Sequence, residues 1–306
     1  MPLWGPRGKP RAVTIDDNII KAVLESQWNG GRHRLRGIKE VKSQYPELTE
    51  GQIQKLANEL RSELVANNAK SMIQVEYCEP HLIWSMDIFI KRYQGVKFYV
   101  LQVIDLGSRM KLDPAIKTSD FSSEEVAAHI NMLMHIHEPP LFLKRDNGGN
   151  LNGGEIKEIM RMFAVIPFNS PAHYPQFNGV MERGQGEVKR YLKVVLKGDK
   201  KADMFSQSVY WAVDRANLRR RKVLNNRSAL ECWNESFSHF TRREREAVYN
   251  ELKVETGRLL EAFSEEKQMR HDAFNSAWRK SVCRYLENKG YIKLYRDGQE
   301  LRKKMA

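Results

Sequence analysis

The spacing of apolar positions in this chain changes twice. Up to about residue 67 they recur every three or four residues; from 82 to 116 they crowd into short runs; beyond 220 the helical spacing returns among many charges. Ile15, Ile19, Ile20, Val23 and Leu24 make one apolar face of a first helix, opened by a capping box of Thr14 with Asp17 and stopped at Asn29-Gly30-Gly31. Leu35, Ile38 and Val41 carry a second helix that ends before Pro46. Thr49 and Gln52 form another capping box, and Ile53, Leu56, Leu60 and Leu64 turn a third helix inward. Its outer face offers Gln54, Lys55, Asn58 and Arg61. Three short helices, the last with a polar outer face, fit a helix-turn-helix module in which those four side chains meet DNA. The plainer alternative is a small bundle packed on the rest of the chain or on a second subunit.

The runs at 82–90, 96–105 and 109–116, split at Gly95 and Gly107-Ser108, read as a meander of antiparallel strands. A helix over 122–136, capped by Ser122 or Ser123, leads to a strand ending at Asp146. A helix over 152–162, a short strand at 163–168, and helices at 180–197 and 202–220 follow. The order βββ-α-β-α-β-α-α indicates an α/β sheet covered by helices. Residues 240–263 and 265–286 read as two long helices, and 290–295 as a short strand before the basic tail Arg302-Lys303-Lys304. The expected divisions are a disordered basic arm at 1–12, a three-helix domain at 13–70, a core at 71–222 and a helical basic region at 223–306. For most of the last region no motif suggests more than dimerisation or assembly.

Three carboxylates stand out against this pattern. Asp87 interrupts the apolar run Leu82-Ile83-Trp84-Ser85-Met86-Asp87-Ile88-Phe89-Ile90. Asp146 closes Leu141-Phe142-Leu143-Lys144-Arg145 before the turn Asn147-Gly148-Gly149-Asn150, and Glu182 opens a helix after a Pro/Gly-punctuated loop. A charge inside a strand is costly to bury without a partner, and no basic residue stands beside Asp87 in the sequence. A bound cation answers that cost, which points to divalent-metal phosphoryl transfer. Breaking a phosphodiester requires an activated oxygen nucleophile and neutralised phosphoryl charge, both supplied by two Mg²⁺ (or Mn²⁺) ions about 3.5–4 Å apart. Such ions prefer oxygen ligands, so Asp87, Asp146 and Glu182 suffice without His or Cys.

Composition adds a partner. The formal net charge is +13, unevenly spread. Residues 1–70 carry 12 basic and 8 acidic side chains, 71–200 carry 16 and 15, and 201–306 carry 23 and 15. Basic flanks around a nearly neutral centre suit a polyanion held at its edges and cut in the middle. Cys78, Cys232 and Cys283 are odd in number and far apart, which suggests reduced thiols, a cytoplasmic setting and no structural zinc. No apolar run reaches membrane-spanning length. On the helix after Glu182, the residues Gly186, Lys189 and Lys193 share the glutamate's face; the lysines are candidates for phosphate contacts, and Gly186 leaves room for close approach. Gln176 and Asn178, in the loop before that helix, can hydrogen-bond bases or backbone. Arg219, Arg220 and Arg221, with Lys222, end a helix, where cations are favourable; four in a row exceeds that need and suggests DNA contact.

The surroundings of the carboxylates carry a resemblance. Trp84-Ser85-Met86-Asp87, Asp146-Asn147-Gly148-Gly149-Asn150 and Tyr174-Pro175-Gln176-Phe177-Asn178-Gly179-Val180-Met181-Glu182-Arg183 resemble the catalytic core of retroviral integrases and bacterial insertion-sequence transposases. A looser tail runs from Asn217-Leu218-Arg219-Arg220-Arg221 through Ser228, Glu231 and Trp233, so the likeness covers about 80–235. It implies a ribonuclease-H-like fold, meaning a mixed five-stranded sheet flanked by helices. It also implies a D,D(35)E triad on Asp87, Asp146 and Glu182, with 35 residues between the last two. The implied activity is a polynucleotidyl transfer that cleaves 3′ ends and joins them to target, on double-stranded DNA and in a homo-oligomer. The zinc-binding His/Cys module of many retroviral relatives is missing, and Arg145 stands where Ser or Thr often precedes the second Asp. Both departures favour a mobile element of bacterial type. A silent, domesticated DNA-binding regulator and a plain nuclease of the same fold are the alternatives.

Overall fold

The computed structural model describes residues 16–25, 37–71, 74–146, 148–169, 178–197, 204–236, 239–264, 273–296 and 299–301. The expected basic arm, the Thr14 cap, the Asn29-Gly30-Gly31 stop and the tail at 302–304 lie outside them. The chain divides into two compact units, residues 1–72 and 73–306.

The first unit is three helices, α1 (Asp17–Glu25), α2 (Ile38–Gln44) and α3 (Glu50–Ser71). Ile20, Leu24, Val41, Ile53, Leu56 and Leu60 close a core of their own, as the apolar spacing predicts. The second capping box forms in both directions. The Gln52 backbone N–H donates to Thr49 Oγ1 at 3.2 Å, and the Thr49 N–H donates to Gln52 Oε1 at 2.8 Å.

The second unit is built on a sheet. After β1 (Gln74–Tyr77) come β2 (Ile83–Tyr93), β3 (Val96–Asp105), β4 (Ala115–Lys117), β5 (Phe142–Arg145) and β6 (Ile166–Asn169). Five of them make one sheet in the order β4-β3-β2-β5-β6, antiparallel from β4 to β2 and parallel from β2 to β6. That is a ribonuclease-H-like α/β fold. Alternation along β2 sets its two faces. Trp84 and Met86 join Leu101 and Val103 of β3 in packing on α4 (Ser123–Ile136) and α5 (Gly154–Met162). Phe89 faces the other way, with Phe98 and Val100, under α6 (Gly179–Val195) and α7 (Phe205–Leu218). Helix α6 approaches β3 most closely at Gly184, where an added Cβ would lie 2.4 Å from Ile104 Cδ1; one at Gly186 would meet nothing within 4 Å.

Three expectations need correcting. The run at 109–116 is not a full strand: only β4 pairs with β3, and Lys111 makes a single bridge to Ile104. Arg109 is in the left-handed region at φ 66° and Pro114 lacks an N–H, so a continuous ladder cannot form there. Helix α7 stops at Leu218; Arg220–Arg221 then forms β7, paired with β8 (Arg227–Ser228) ahead of α8 (Ala229–Glu235). Finally, 223–306 is not a region apart. Helices α9 (Arg242–Ser264) and α10 (Ala273–Asn288) bury Val248, Leu252, Trp278 and Val282 against Ile83, Phe142, Ile166 and Phe168 of the sheet. Strand β9 (Ile292–Arg296) pairs with β1 on one side and β10 (Gln299–Glu300) on the other. The C-terminal region thus completes a face of the core, because β2, β5 and β6 leave apolar side chains there that α6 and α7 do not reach. Among the described residues no helix is long and apolar enough to cross a membrane.

Candidate active site

Strand register brings the first two carboxylates together. β2 and β5 run parallel with Met86 opposite Arg145, so the next residues, Asp87 and Asp146, stand side by side. Asp87 is half-buried. Its Oδ1 accepts from the Ile88 N–H at 2.8 Å and its Oδ2 from Gln185 Nε2 at 2.9 Å. Burial raises its pKa above the ordinary value and the charge of Asp146 adds to this, while those two hydrogen bonds and Lys189 pull the other way. Asp146 is exposed at the end of β5, and its carbonyl accepts from Asn152 Nδ2 at 2.6 Å. Glu182 is exposed in the first turn of α6, three residues from Gln185 and so on the same helical face.

A buried lysine lies just behind the end of β5. Lys144 lies two residues before Asp146, on the same side of β5, with only 1 % of its surface exposed. Burial lowers its pKa to about 7, opposed by Cys283, Asp146 and Glu182.

Among the described residues no group of three or more His, Cys, Asp or Glu side chains is placed to hold a metal ion. The pair Asp87–Asp146 nonetheless offers hard oxygen donors and no soft ones, which suits Mg²⁺ or Mn²⁺. Directly opposite Asp87 on β3, and so on the same face, Gln102 is fully buried with neither amide atom partnered among the described residues. Two adjacent carboxylates facing a buried, unsatisfied amide fit a site completed by a hydrated divalent cation.

The contact from Gln185 is testable. Its hydrogen bond favours the charged carboxylate, so Gln185→Leu is expected to raise the Asp87 pKa further. Carboxyl NMR titration of Asp87 reads this directly; an unmoved midpoint would remove Gln185 from the site.

Other predicted positions scatter. Lys189 is exposed on α6, its ammonium 4.7 Å from the centre of the Phe89 ring, and its charge reaches Asp87. Lys193 is exposed one turn on, and Asn178 is the half-buried N-cap of α6. Gln176 lies outside the described residues, as does the side chain of Arg61. On α3, Gln54 donates to Asn58 at 2.9 Å, and Lys55 stands 4.0 Å from Glu59.

The basic run has an internal partner. Glu187, on α6, takes Arg221 at 2.6 Å, Lys111 at 3.0 Å and Arg219 at 3.3 Å, while Arg220 pairs with Glu231 at 2.8 Å. Glu187, Lys111 and most of Arg221 are buried, whereas Arg219 and Arg220 keep exposed heads. Gln185, Lys144, Gln102 and Glu187 were not picked out from sequence. Gln185 carried a signal, its helical spacing from Glu182; Gln102 needed the strand register.

No family model matches the sequence, and no curated protein matches it either. Solved structures do. The HTLV-2 integrase catalytic core domain in complex with magnesium is 18% identical, with a TM-score of 0.42, and the match covers 51% of this chain and 97% of that one. A simian T-cell lymphotropic virus intasome in complex with PP2A regulatory subunit B56 gamma is 15% identical at TM-score 0.47, over 64% and 74% of the two chains. The BIV integrase catalytic core is 19% identical at TM-score 0.41, over 50% and 93%. Identity this low, at TM-scores below 0.5, says nothing of chemistry.

Proposed function

We propose that this chain is a DNA strand transferase of the transposase or integrase type, using two Mg²⁺ or Mn²⁺ ions on Asp87, Asp146 and Glu182. The observation that supports it most is the β2–β5 register, which ends with Met86 opposite Arg145 and so brings the next residues, Asp87 and Asp146, close enough for one charge to act on the other, with the buried amide of Gln102 opposite Asp87. The ions would supply positive charge at the phosphoryl group and an activated oxygen nucleophile. The chain's own part is to fix the donors: Gln185 holds one Asp87 oxygen, the Ile88 N–H holds the other, and Asn152 ties down the backbone at Asp146.

In the proposed sequence of steps, water first breaks a phosphodiester at each element end and leaves a 3′-hydroxyl. That oxygen then bonds to a target phosphorus as the target's own P–O bond breaks, its electrons staying on the departing 3′ oxygen. Two ends must meet, so the working form is a homo-oligomer on DNA. Residues 17–71, with Gln54, Lys55, Asn58 and Arg61 on the outer helix, would read the ends; Lys189, Lys193 and the exposed heads of Arg219 and Arg220 would hold backbone. A DNA-binding relative that does not cut has one observation on its side, the lack of a three-acid cluster among the described residues.

One experiment separates these readings. The full chain is incubated with Mg²⁺ or Mn²⁺, duplexes carrying the native element's terminal repeats, and supercoiled plasmid. Joined products are expected, with binding that weakens in salt by a slope of roughly −0.9 per phosphate contacted. Nicking without joining would make the chain a nuclease, and binding without either a regulator.

A further inference from the structure

Off the open edge of the sheet, past β6, lies a hollow of about 430 Å³ that borders the carboxylate site through Asn152. Its walls come from three places. Helix α5 gives Lys157, the strand ends give Arg145 and Asn169, the turn before α5 gives Asn152, and α9 with α10 give Tyr249, Phe274, Trp278 and Arg279. Three features set it apart from ordinary surface.

The first is charge. Arg145 is only 3% exposed, yet its described partners are neutral: Asn169 Oδ1 at 3.0 Å and the Leu151 carbonyl at 3.5 Å. Lys157 and Arg279 add two more cations, and among the described residues no acidic side chain lines the hollow. A buried guanidinium without a carboxylate beside it is costly and is best answered by an anion from outside.

The second is aromatic surface. Tyr249 is 41% exposed and Phe274 56% exposed, both on the hollow, with the Trp278 ring behind them. Tyr249 and Trp278 lie 5.5 Å apart between centroids, and Phe274 is nearly parallel to Trp278 at 17°. Trp278 is fixed by its Nε1 donating to the Pro167 carbonyl at 2.8 Å. Two large rings left to solvent in one hollow mark a binding surface.

The third is a wire to the carboxylates. Arg145 donates to Asn169, Asn169 Nδ2 donates to Asn152 Oδ1 at 3.3 Å, and Asn152 donates to the Asp146 carbonyl. Whatever fills the hollow bears on the backbone that presents Asp146.

A buried guanidinium, exposed rings and side-chain amides in a space of this size together suit a nucleotide. We propose that this hollow takes a single unpaired nucleotide of the DNA strand being processed, its base against Tyr249 and Phe274 and its phosphate toward Arg145 and Lys157. The proposal rests on the DNA reading above and adds to it. The strand end is splayed beside the reacting phosphate, and helices α9 and α10 are part of the DNA-binding surface.

The test is photocrosslinking of the full chain without metal, in the Asp87→Asn background, to a single-stranded oligodeoxynucleotide carrying 5-iododeoxyuridine, with adducts mapped by mass spectrometry. Adducts at Tyr249 or Phe274 are expected. Phe274→Ala, at an exposed position, is expected to weaken oligonucleotide binding by about five- to tenfold. Lys157→Ala is expected to lower the slope of binding against salt by about 0.7, one single-strand phosphate. Adducts confined to other segments, or unchanged affinity in both variants, overturn the nucleotide site while leaving strand transfer standing. A chain that binds no DNA of any kind brings down the functional reading itself.

Discussion

Asp87→Asn is expected to lower DNA end joining by about 10³-fold or more, with a melting temperature equal to or above that of the parent. The two halves of this result come from the same group. Asp87 is half-buried with Asp146 beside it, and burial leads the causes that raise its pKa. A carboxyl whose folded pKa is raised is destabilising when ionised; this cost builds as pH rises from the unfolded to the folded pKa and is full above the latter. Replacing the charge by an amide of the same shape removes that cost. The amide still fits: one polar atom accepts from the Ile88 N–H, and the other can donate to a flipped Gln185. The charge is therefore kept at the expense of the fold, as expected of a residue held for chemistry. Gel assays of joining together with calorimetry decide it. Full joining by the variant ends the triad assignment, and a lowered melting temperature would show the charge to be structural. Glu182→Gln should give the same loss with little change in melting, since Glu182 is exposed.

How much of this was legible depends on which interactions are local. Helices α1, α3, α4 and α6 were readable because three-to-four-residue spacing and the caps at Thr49 and Ser122 lie within one stretch of chain. Met110 and Leu112 make 109–116 apolar enough to suggest a strand; the left-handed backbone at Arg109 and the clamp of the Asn217 amide on both backbone groups of Lys111, which prevent it, are set by the fold. Residues 240–263 and 265–286 read as two long, charged helices, but nothing in their pattern says what they pack against. Their partners, Ile83 and Phe142, lie more than a hundred residues upstream. At the site, Asp87, Asp146 and Glu182 were each conspicuous by context. That Lys189 reaches Asp87, and that Gln102 stands across from it, follows only from the packing of α6 and the pairing of β2 with β3.

The basic run at 219–222 is where the two kinds of information disagree most, and Glu187→Ala is the variant that exposes it. The substitution is expected to destabilise the second unit by about 3 kcal/mol or more, because it leaves Lys111 and Arg221 buried without their shared partner. For a unit of this size that is roughly a 10 °C fall in melting temperature. Burial alone would raise the pKa of Glu187; Lys111 and Arg221 overcome it and hold the group below its ordinary value. A depressed carboxylate contributes stability that is present above its unfolded pKa and lost as pH falls through the folded one. The melting gap between parent and variant should thus be full at pH 7 and close in the acid range. Lys111→Met added to Glu187→Ala should recover part of the loss, since it removes one of the stranded cations. Arg219→Ala, with its head half in solvent, should cost less than about 1 kcal/mol. Arg219 and Arg220 keep exposed heads that can meet a phosphate, whereas moving Arg221 or Lys111 toward DNA would break a buried ion pair with Glu187. If Glu187→Ala melts like the parent and loses DNA affinity instead, the ion cluster is no keystone and all three arginines belong to the DNA surface.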